Sequence, residues 1–198
     1  MPRVSKAEAE KNRVIIEQVS SRLFREQGFH GISVADLMGA AGLTHGGFYG
    51  HFESKDALAA IACTRAFEES EARWRKRVDD TPDKATALAA LIDSYLSARN
   101  RNGAGTGCPV AALGNDVARE SADKPVRAAF HEGVENLLDI LASIQGGDDA
   151  AANRSAAVAQ MAALAGALML SRATQGTPLS NEVLAATKSF LLEQVNAG

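Results

Sequence analysis

Only two cysteines occur in the 198 residues, Cys63 and Cys108, and they are far apart. That excludes a disulfide framework and a cysteine-rich metal site. Long hydrophobic runs are missing too. The most apolar stretch, Met161 to Leu170, is bounded by Gln160 and Arg172 and falls short of the roughly 20 residues that span a bilayer. It is expected to be a buried helix, with no membrane partner. The first residues carry Arg3, Lys6, Glu8, Glu10 and Lys11 without an apolar run, so no secretory signal is read and a cytoplasmic location is expected. Nor is there an excess of positive charge. The net charge is -3, and residues 1–56 hold seven Lys/Arg (3, 6, 11, 13, 22, 25, 55) against seven Asp/Glu (8, 10, 17, 26, 36, 53, 56). A strong nonspecific attraction to nucleic acid is therefore not expected.

Catalytic signatures are also absent. There is no GxSxG, no glycine loop with lysine for a phosphate, and no acidic cluster placed for a metal. His45 and His51 are six residues apart and lie on different helix faces, unlike the i, i+4 pair of a helical zinc site. His30, in a glycine-rich turn, and His131, beside Glu132 and Glu135, read as surface residues. No enzyme, metal or cofactor is expected, since no acid, base and nucleophile converge. No strand pattern, internal repeat or low-complexity tract is present.

What is present is concentrated in residues 33 to 58, SVADLMGAAGLTHGGFYGHFESKDAL. Ser33 can cap a helix through Asp36, and Val34, Leu37 and Met38 have helical spacing. Gly42 can take the left-handed conformation that ends it. Thr44 then caps a second helix, and Ser54 opens a third. This is the pattern of a helix-turn-helix. Phe48 and Phe52, four residues apart, should face the core. Gly46, Gly47 and Gly50 fall on the opposite arc, although each glycine disfavours a helix by roughly 1 kcal/mol relative to alanine. Such a bare strip suits a backbone that must approach a groove floor. Thr44 and His51 flank it on one side, His45 and Tyr49 on the other, and all can donate to phosphates or base edges.

Gly42-Leu43-Thr44, Gly46, Tyr49, His51-Phe52 and Ser54-Lys55-Asp56-Ala57-Leu58 resemble the recognition helix and following helix of the TetR family of bacterial transcriptional regulators. Upstream, Arg13, Ile16, Leu23-Phe24 and Gly28-Phe29 resemble its first helix, so the likeness covers roughly residues 10 to 60. It implies that Ser33, Tyr49, His51 and Lys55 hold phosphates and that Thr44, His45, Gly46 and Gly47 lie over the bases. Positions 47 and 50 depart from the family, whose members often carry larger side chains there. Base reading then rests mostly on His45 and Thr44, with DNA shape supplying the rest.

Further helices are expected from Ser5, with Glu8 as a capping box, to Gln27, with Ile15, Val19 and Leu23 on one face; from Lys55 to Val78; from Lys84 to Arg99; from Cys108-Pro109 to Glu120; from Pro125 to Ile144; from Ala151 to Ala173; and from Asn181 to Val195. Residues 100–107, with three glycines, read as a loop. The basic run Arg73, Arg75, Lys76 and Arg77 reads as a solvated face at a helix C terminus.

The expected fold is all-α, with about nine helices: a three-helix DNA-binding domain with a helix-turn-helix at 1–55, then a larger helical regulatory and dimerisation domain at 56–198. The two last helices carry more apolar surface than one stripe requires, and small residues Ala162, Ala165 and Gly166 allow close approach. A homodimer through about 151–173 and 181–195 is expected.

The resemblance further implies a repressor that binds palindromic double-stranded operator DNA as a homodimer and is released by a small-molecule effector. The effector pocket would lie among helices spanning about 84 to 170, with Leu91, Tyr95, Cys108, Leu113, Val117, Phe130 and Val134 as candidate contacts. The alternative is a thiol-based redox or electrophile sensor, because Cys108 sits in the first turn of a helix, where the dipole favours the thiolate.

Overall fold

A computed structural model describes residues 5–197, with side chains through residue 195; Arg3 lies outside the described residues. Among these residues there are nine α-helices, two 3-10 helices and no strand. Helix α1, Lys6–Gln27, begins at Ser5, whose hydroxyl accepts from the Glu8 amide, and ends at Gly28 with φ 75°. Its buried face is Ile16, Ser20, Leu23 and Phe24. Ile15 and Val19, the expected face, are only half-buried, because the register is set by Phe24 and Ile16 turning inward.

Helix α2, Val34–Ala40, starts with the full Ser33/Asp36 capping box. The segment after the Gly42 turn, however, is a 3-10 helix, His45–Gly50, and the Thr44 side chain makes no capping bond. Three glycines in six residues weaken the α-helix, and the tighter winding is closed by Gly47 N donating to Thr44 O and His51 N to Phe48 O.

Helix α3, Lys55–Asp79, is capped by Ser54 and buries Leu58, Ala62, Ala66, Phe67 and Trp74. Its largest contact is with α7, Pro125–Ser143. The two come so close that Gly133 lies directly on the Phe67 ring. Phe67 also meets Phe130 edge to face at 5.4 Å. Helix α3 touches α1, α4 and α6 as well, so it runs from the helix-turn-helix into the larger bundle.

The expected helix 84–99 is broken. Helix α4, Lys84–Tyr95, ends at Leu96, and Ser97 caps a separate short helix α5, Ala98–Asn102. Ser97 Oγ donates to Ser94 O and accepts from Asn100 N, while Asn100 Nδ2 donates to Tyr95 O, so the freed backbone groups are satisfied. A 3-10 helix, Ala104–Thr106, follows where a loop was expected. Helix α6 is Pro109–Arg119.

Helix α8, Ala150–Ala173, is capped by Asp149, and α9, Pro178–Ala197, starts three residues before the expected position. By length and composition α8 could cross a membrane, which the ten-residue apolar core understated. In the fold it packs against α6, α7 and α9. Val158, Met169 and Leu170 on α8 and Leu179 and Phe190 on α9 remain exposed.

A Cβ at Gly133 would stand 2.1 Å from Phe67 Cγ, inside the core. Overpacking of this kind costs about 1–3 kcal/mol. Gly133→Ala is expected to lower the thermal midpoint by several degrees in a circular-dichroism melt, at about 2–4 °C per kcal/mol for a chain of this size; an unchanged midpoint would contradict the close α3–α7 packing.

Candidate nucleic-acid interface and adjoining cleft

The 3-10 segment is anchored from behind. Leu37, Met38 and Phe48 are fully buried and Phe52 nearly so, while Gly42, at φ 72°, makes the turn and Leu43 N donates to Met38 O. Thr44, His45, Gly46 and Gly50 are exposed, Gly47 is half-buried, and the Tyr49 side chain projects with 70% of its surface free. None of Gly46, Gly47 and Gly50 has positive φ. A Cβ at Gly46 or Gly50 would meet nothing within 4 Å, and one at Gly47 only the end of Met38 at 3.7 Å. Neither backbone conformation nor internal packing therefore requires glycine here.

The expected phosphate contacts are placed unequally. Ser33 is exposed, but its hydroxyl is engaged with Asp36 in the capping box. Lys55 Nζ donates to Ile32 O at 2.5 Å, which ties the start of α3 to the chain entering α2. His51 is half-buried, and its carbonyl accepts from Arg13, whose guanidinium lies 5.1 Å from the Phe52 ring centre. Thus Thr44, His45, Gly46, Gly47 and Tyr49 share one open surface, with Ser33, His51 and Lys55 at its margin holding the scaffold together.

The three arginines of α1 are paired within the protein: Arg13 with Glu17, Arg22 with Glu26, and Arg25 with Glu69. Arg25 is buried. It donates to Ser21 O and Oγ on its own helix, to Glu69 on α3 at 2.8 Å and to Gly107 O at 3.1 Å.

Gly107 belongs to the rim of a cleft of about 480 Å³ between α3, α4 and residues 97–108. Leu91, Tyr95 and Cys108 line it, as expected. Leu113, Val117, Phe130 and Val134 do not. Leu113 and Val117 are buried in the core on α6, Phe130 packs on Phe67, and Val134 is half-buried against the same core. Those apolar positions belong to the core in which α6 and α7 pack against α3 and α8.

Sequence reasoning missed the polar lining: Arg73, Arg77 and Arg99, with Ser70, Ser94 and Ser97. The basic run of α3 splits: Arg75 and Lys76 are exposed and do not line the cleft, whereas Arg73 and Arg77 line it, Arg77 half-buried and Arg73 still exposed to solvent. Their spacing of four was the available signal, since it puts both on one helix face. Partial burial, then the like charge of Arg25, holds the Arg73 guanidinium below its ordinary value, and Arg77 adds to the effect. The Tyr95 hydroxyl is buried without a satisfactory hydrogen-bond partner, next to the weakly bonding Cys108 thiol. Trp74 meets the Tyr95 ring edge to face at 6.0 Å.

The reactive reading of Cys108 is not favoured. Burial pushes its thiol above the ordinary range and outweighs the opposing bonds, from Tyr95 first and then from the helix-start amides of Ala111 and Val110. Cys63 is likewise buried and pushed up to about 12. A thiol held protonated is a poor nucleophile. Among the described residues no group of three or more His, Cys, Asp and Glu could hold a metal ion.

Residues 16–61 match the family model described as bacterial regulatory proteins, tetR family. Over 58 residues the chain is 41% identical to the HTH-type transcriptional regulator AcrR of Shigella flexneri, covering 29% of this chain and 27% of that protein. Over 80 residues it is 28% identical to the HTH-type transcriptional repressor KstR2 of Rhodococcus jostii, covering 40% and 39%. The chain thus spans well under half the length of these curated relatives. The fold is shared along the whole chain: a TetR-family regulator from Cytophaga hutchinsonii superposes with a TM-score of 0.76 at 22% identity over 97% of both chains. Another from Chloroflexus aurantiacus gives 0.77 at 23% identity over 96% of both. Residues 16–61 thus match the helix-turn-helix segment of the tetR family in sequence, and the chain along its length shares the fold of solved TetR-family regulators.

Proposed function

We propose that the protein is a cytoplasmic DNA-binding transcriptional regulator, a repressor that holds a palindromic operator as a homodimer and releases it when a small molecule enters the cleft. The observation that carries this reading is the open 3-10 surface, where three glycines stand that the protein's own packing does not need. Close approach of an external surface explains them, and a DNA groove is such a surface. Similarity to a transcriptional regulator and a repressor through the same segment supports it. The working division places DNA binding in residues 1–55 and regulation and dimerisation in 56–198.

Thr44 and His45 are assigned to bases, Gly46 and Gly47 to the close approach, and Tyr49 to a phosphate. Ser33, His51 and Lys55 contribute to phosphate binding from the margin, Lys55 by exchanging its bond to Ile32 O for a phosphate oxygen. Dimerisation uses α8 and α9, where Val158, Met169, Leu170, Leu179 and Phe190 are exposed. A Cβ at Gly166 would meet nothing within 4 Å, so this stripe is free for a second copy. Two recognition segments must sit about 34 Å apart to read a palindrome, so an effector that changes their separation lowers affinity.

Binding to DNA from the upstream region of its own gene, by mobility shift at near-physiological salt against nonspecific competitor, tests the reading. Tyr49→Ala is expected to weaken binding to all sequences about equally, whereas His45→Ala costs about 1–3 kcal/mol on the preferred base and relaxes choice there. Unchanged binding in both, or no selection of any site from genomic DNA, would sink the interface. In sedimentation, the double variant Val158→Asp, Phe190→Asp is expected to shift the protein from dimer to monomer; a dimer that persists would place the interface elsewhere.

A further inference from the structure

Three arginines converge on the cleft from two elements, Arg73 and Arg77 from α3 and Arg99 from α5. No acidic side chain lines it. Among the described residues, none of the three forms an ion pair, in contrast to Arg13, Arg22, Arg25 and Arg154. Arg73 has only a neutral partner, the Ser70 hydroxyl at 2.9 Å. Arg77 is half-buried and Arg73 and Arg99 are exposed, so the three stand along the open side of the cleft; like charges gathered there repel one another, and an anion among them relieves the repulsion while accepting forked hydrogen bonds.

The apolar part of the lining is Trp74, on α3 beside Arg73 and Arg77, with Leu91 and the Tyr95 ring on α4. The Tyr95 hydroxyl also belongs to the lining; its residue is 3% exposed, and its one neighbour able to bond is the weak Cys108 thiol. A buried donor left unmade is costly unless a ligand completes it. The volume, about 480 Å³, is that of an ordinary small-molecule site.

We propose that the effector is a small organic oxyanion, a carboxylate or phosphate head on an apolar body, held by Arg73, Arg77 and Arg99 with the Tyr95 hydroxyl as a further donor and Trp74 and Leu91 against the body. This inference rests on the regulatory reading of the cleft and deepens it. The site also has a route to the DNA-binding segment. The far side of the lining segment lies on α1: a Cβ at Gly105 would stand 2.2 Å from Glu26 Oε1 and 2.7 Å from Arg22 Cγ. Arg25 binds the carbonyl of Gly107 in the same segment. An anion that draws Arg99 and residues 103–108 toward α3 therefore pulls on α1.

Trp74 is the single tryptophan of the chain and lines the cleft, so its emission reports occupancy without DNA. At constant ionic strength, cyclohexanecarboxylate is expected to change that emission saturably. Cyclohexanecarboxamide should bind at least about tenfold more weakly, and cyclohexylmethylamine not at all. Arg73→Gln and Arg77→Gln should each weaken the carboxylate about tenfold or more while leaving the amide and the thermal melt unchanged. Tyr95→Phe should weaken the carboxylate without loss of stability. Equal binding of carboxylate and amide, or variants that bind the carboxylate as the parent does, would overturn the proposal. Inorganic phosphate binding as tightly as cyclohexanecarboxylate would overturn the role of the apolar wall. Because the readout needs no DNA, failure here leaves the operator reading standing, and carboxylate binding by a protein that shifts no DNA overturns only the latter.

Discussion

The buried guanidinium of Arg25 is the constraint on which the arrangement depends. A charge out of water must find partners, and those it finds come from three separate parts of the chain: α1 itself, Glu69 on α3, and the carbonyl of Gly107 beside the cleft. The bond to Gly107 spans 82 positions in sequence. It ties α1 to the segment beside the cleft through directional contacts, and loss of the Glu69 carboxylate would leave the buried guanidinium with neutral partners alone. Glycine at 105 and 107 lets the segment lie flat between α1 on one side and Arg172 on the other. Any change in the cleft is thereby felt at α1 over a single layer of side chains.

The same economy of charge explains an otherwise awkward composition. A DNA-binding segment with no net positive charge, whose α1 arginines are paired internally, has little long-range pull on a polyanion. What it offers is shape: a bare backbone strip flanked by Thr44, His45 and Tyr49. In the proposed dimer, affinity then depends on doubling the surface through α8 and α9. Where those helices meet, Ser171 and Ser180 bond each other in a buried pair that holds the exposed apolar stripe in one geometry.

In the cleft, arginines were spent differently. Arg77 stands in the last turn of α3, where the helix dipole favours positive charge, while Arg73 lies a turn further in. Their repulsion is tolerated because each keeps some contact with water. The break after Tyr95 opens the space they face. Without Ser97 and Asn100 to satisfy the freed backbone groups, α4 would continue and fill it.

The sequence by itself determined the helices with strong local signals: the Ser33/Asp36 box, the Gly42 turn, the Ser54 cap, and the stripes of α3 and α7. These depend on neighbours within a turn, so they are legible without a fold. It also determined that Phe48 and Phe52 point inward and that Thr44, His45 and Tyr49 do not. Only the tertiary structure decided the rest. The recognition segment became a 3-10 helix because Phe48 is clamped by Leu37 and Met38 while its glycines add no α-helical preference. Lys55 and the Ser33 hydroxyl were drawn into bonds within the scaffold. Leu113, Val117, Phe130 and Val134 became core rather than pocket, since an apolar stripe says that a face is covered and not by what. Arg73 and Arg77 became cleft lining because residues 97–108, packed against α8 and α1, come to stand beside α3. Contacts between residues so distant in the chain leave no local pattern to read.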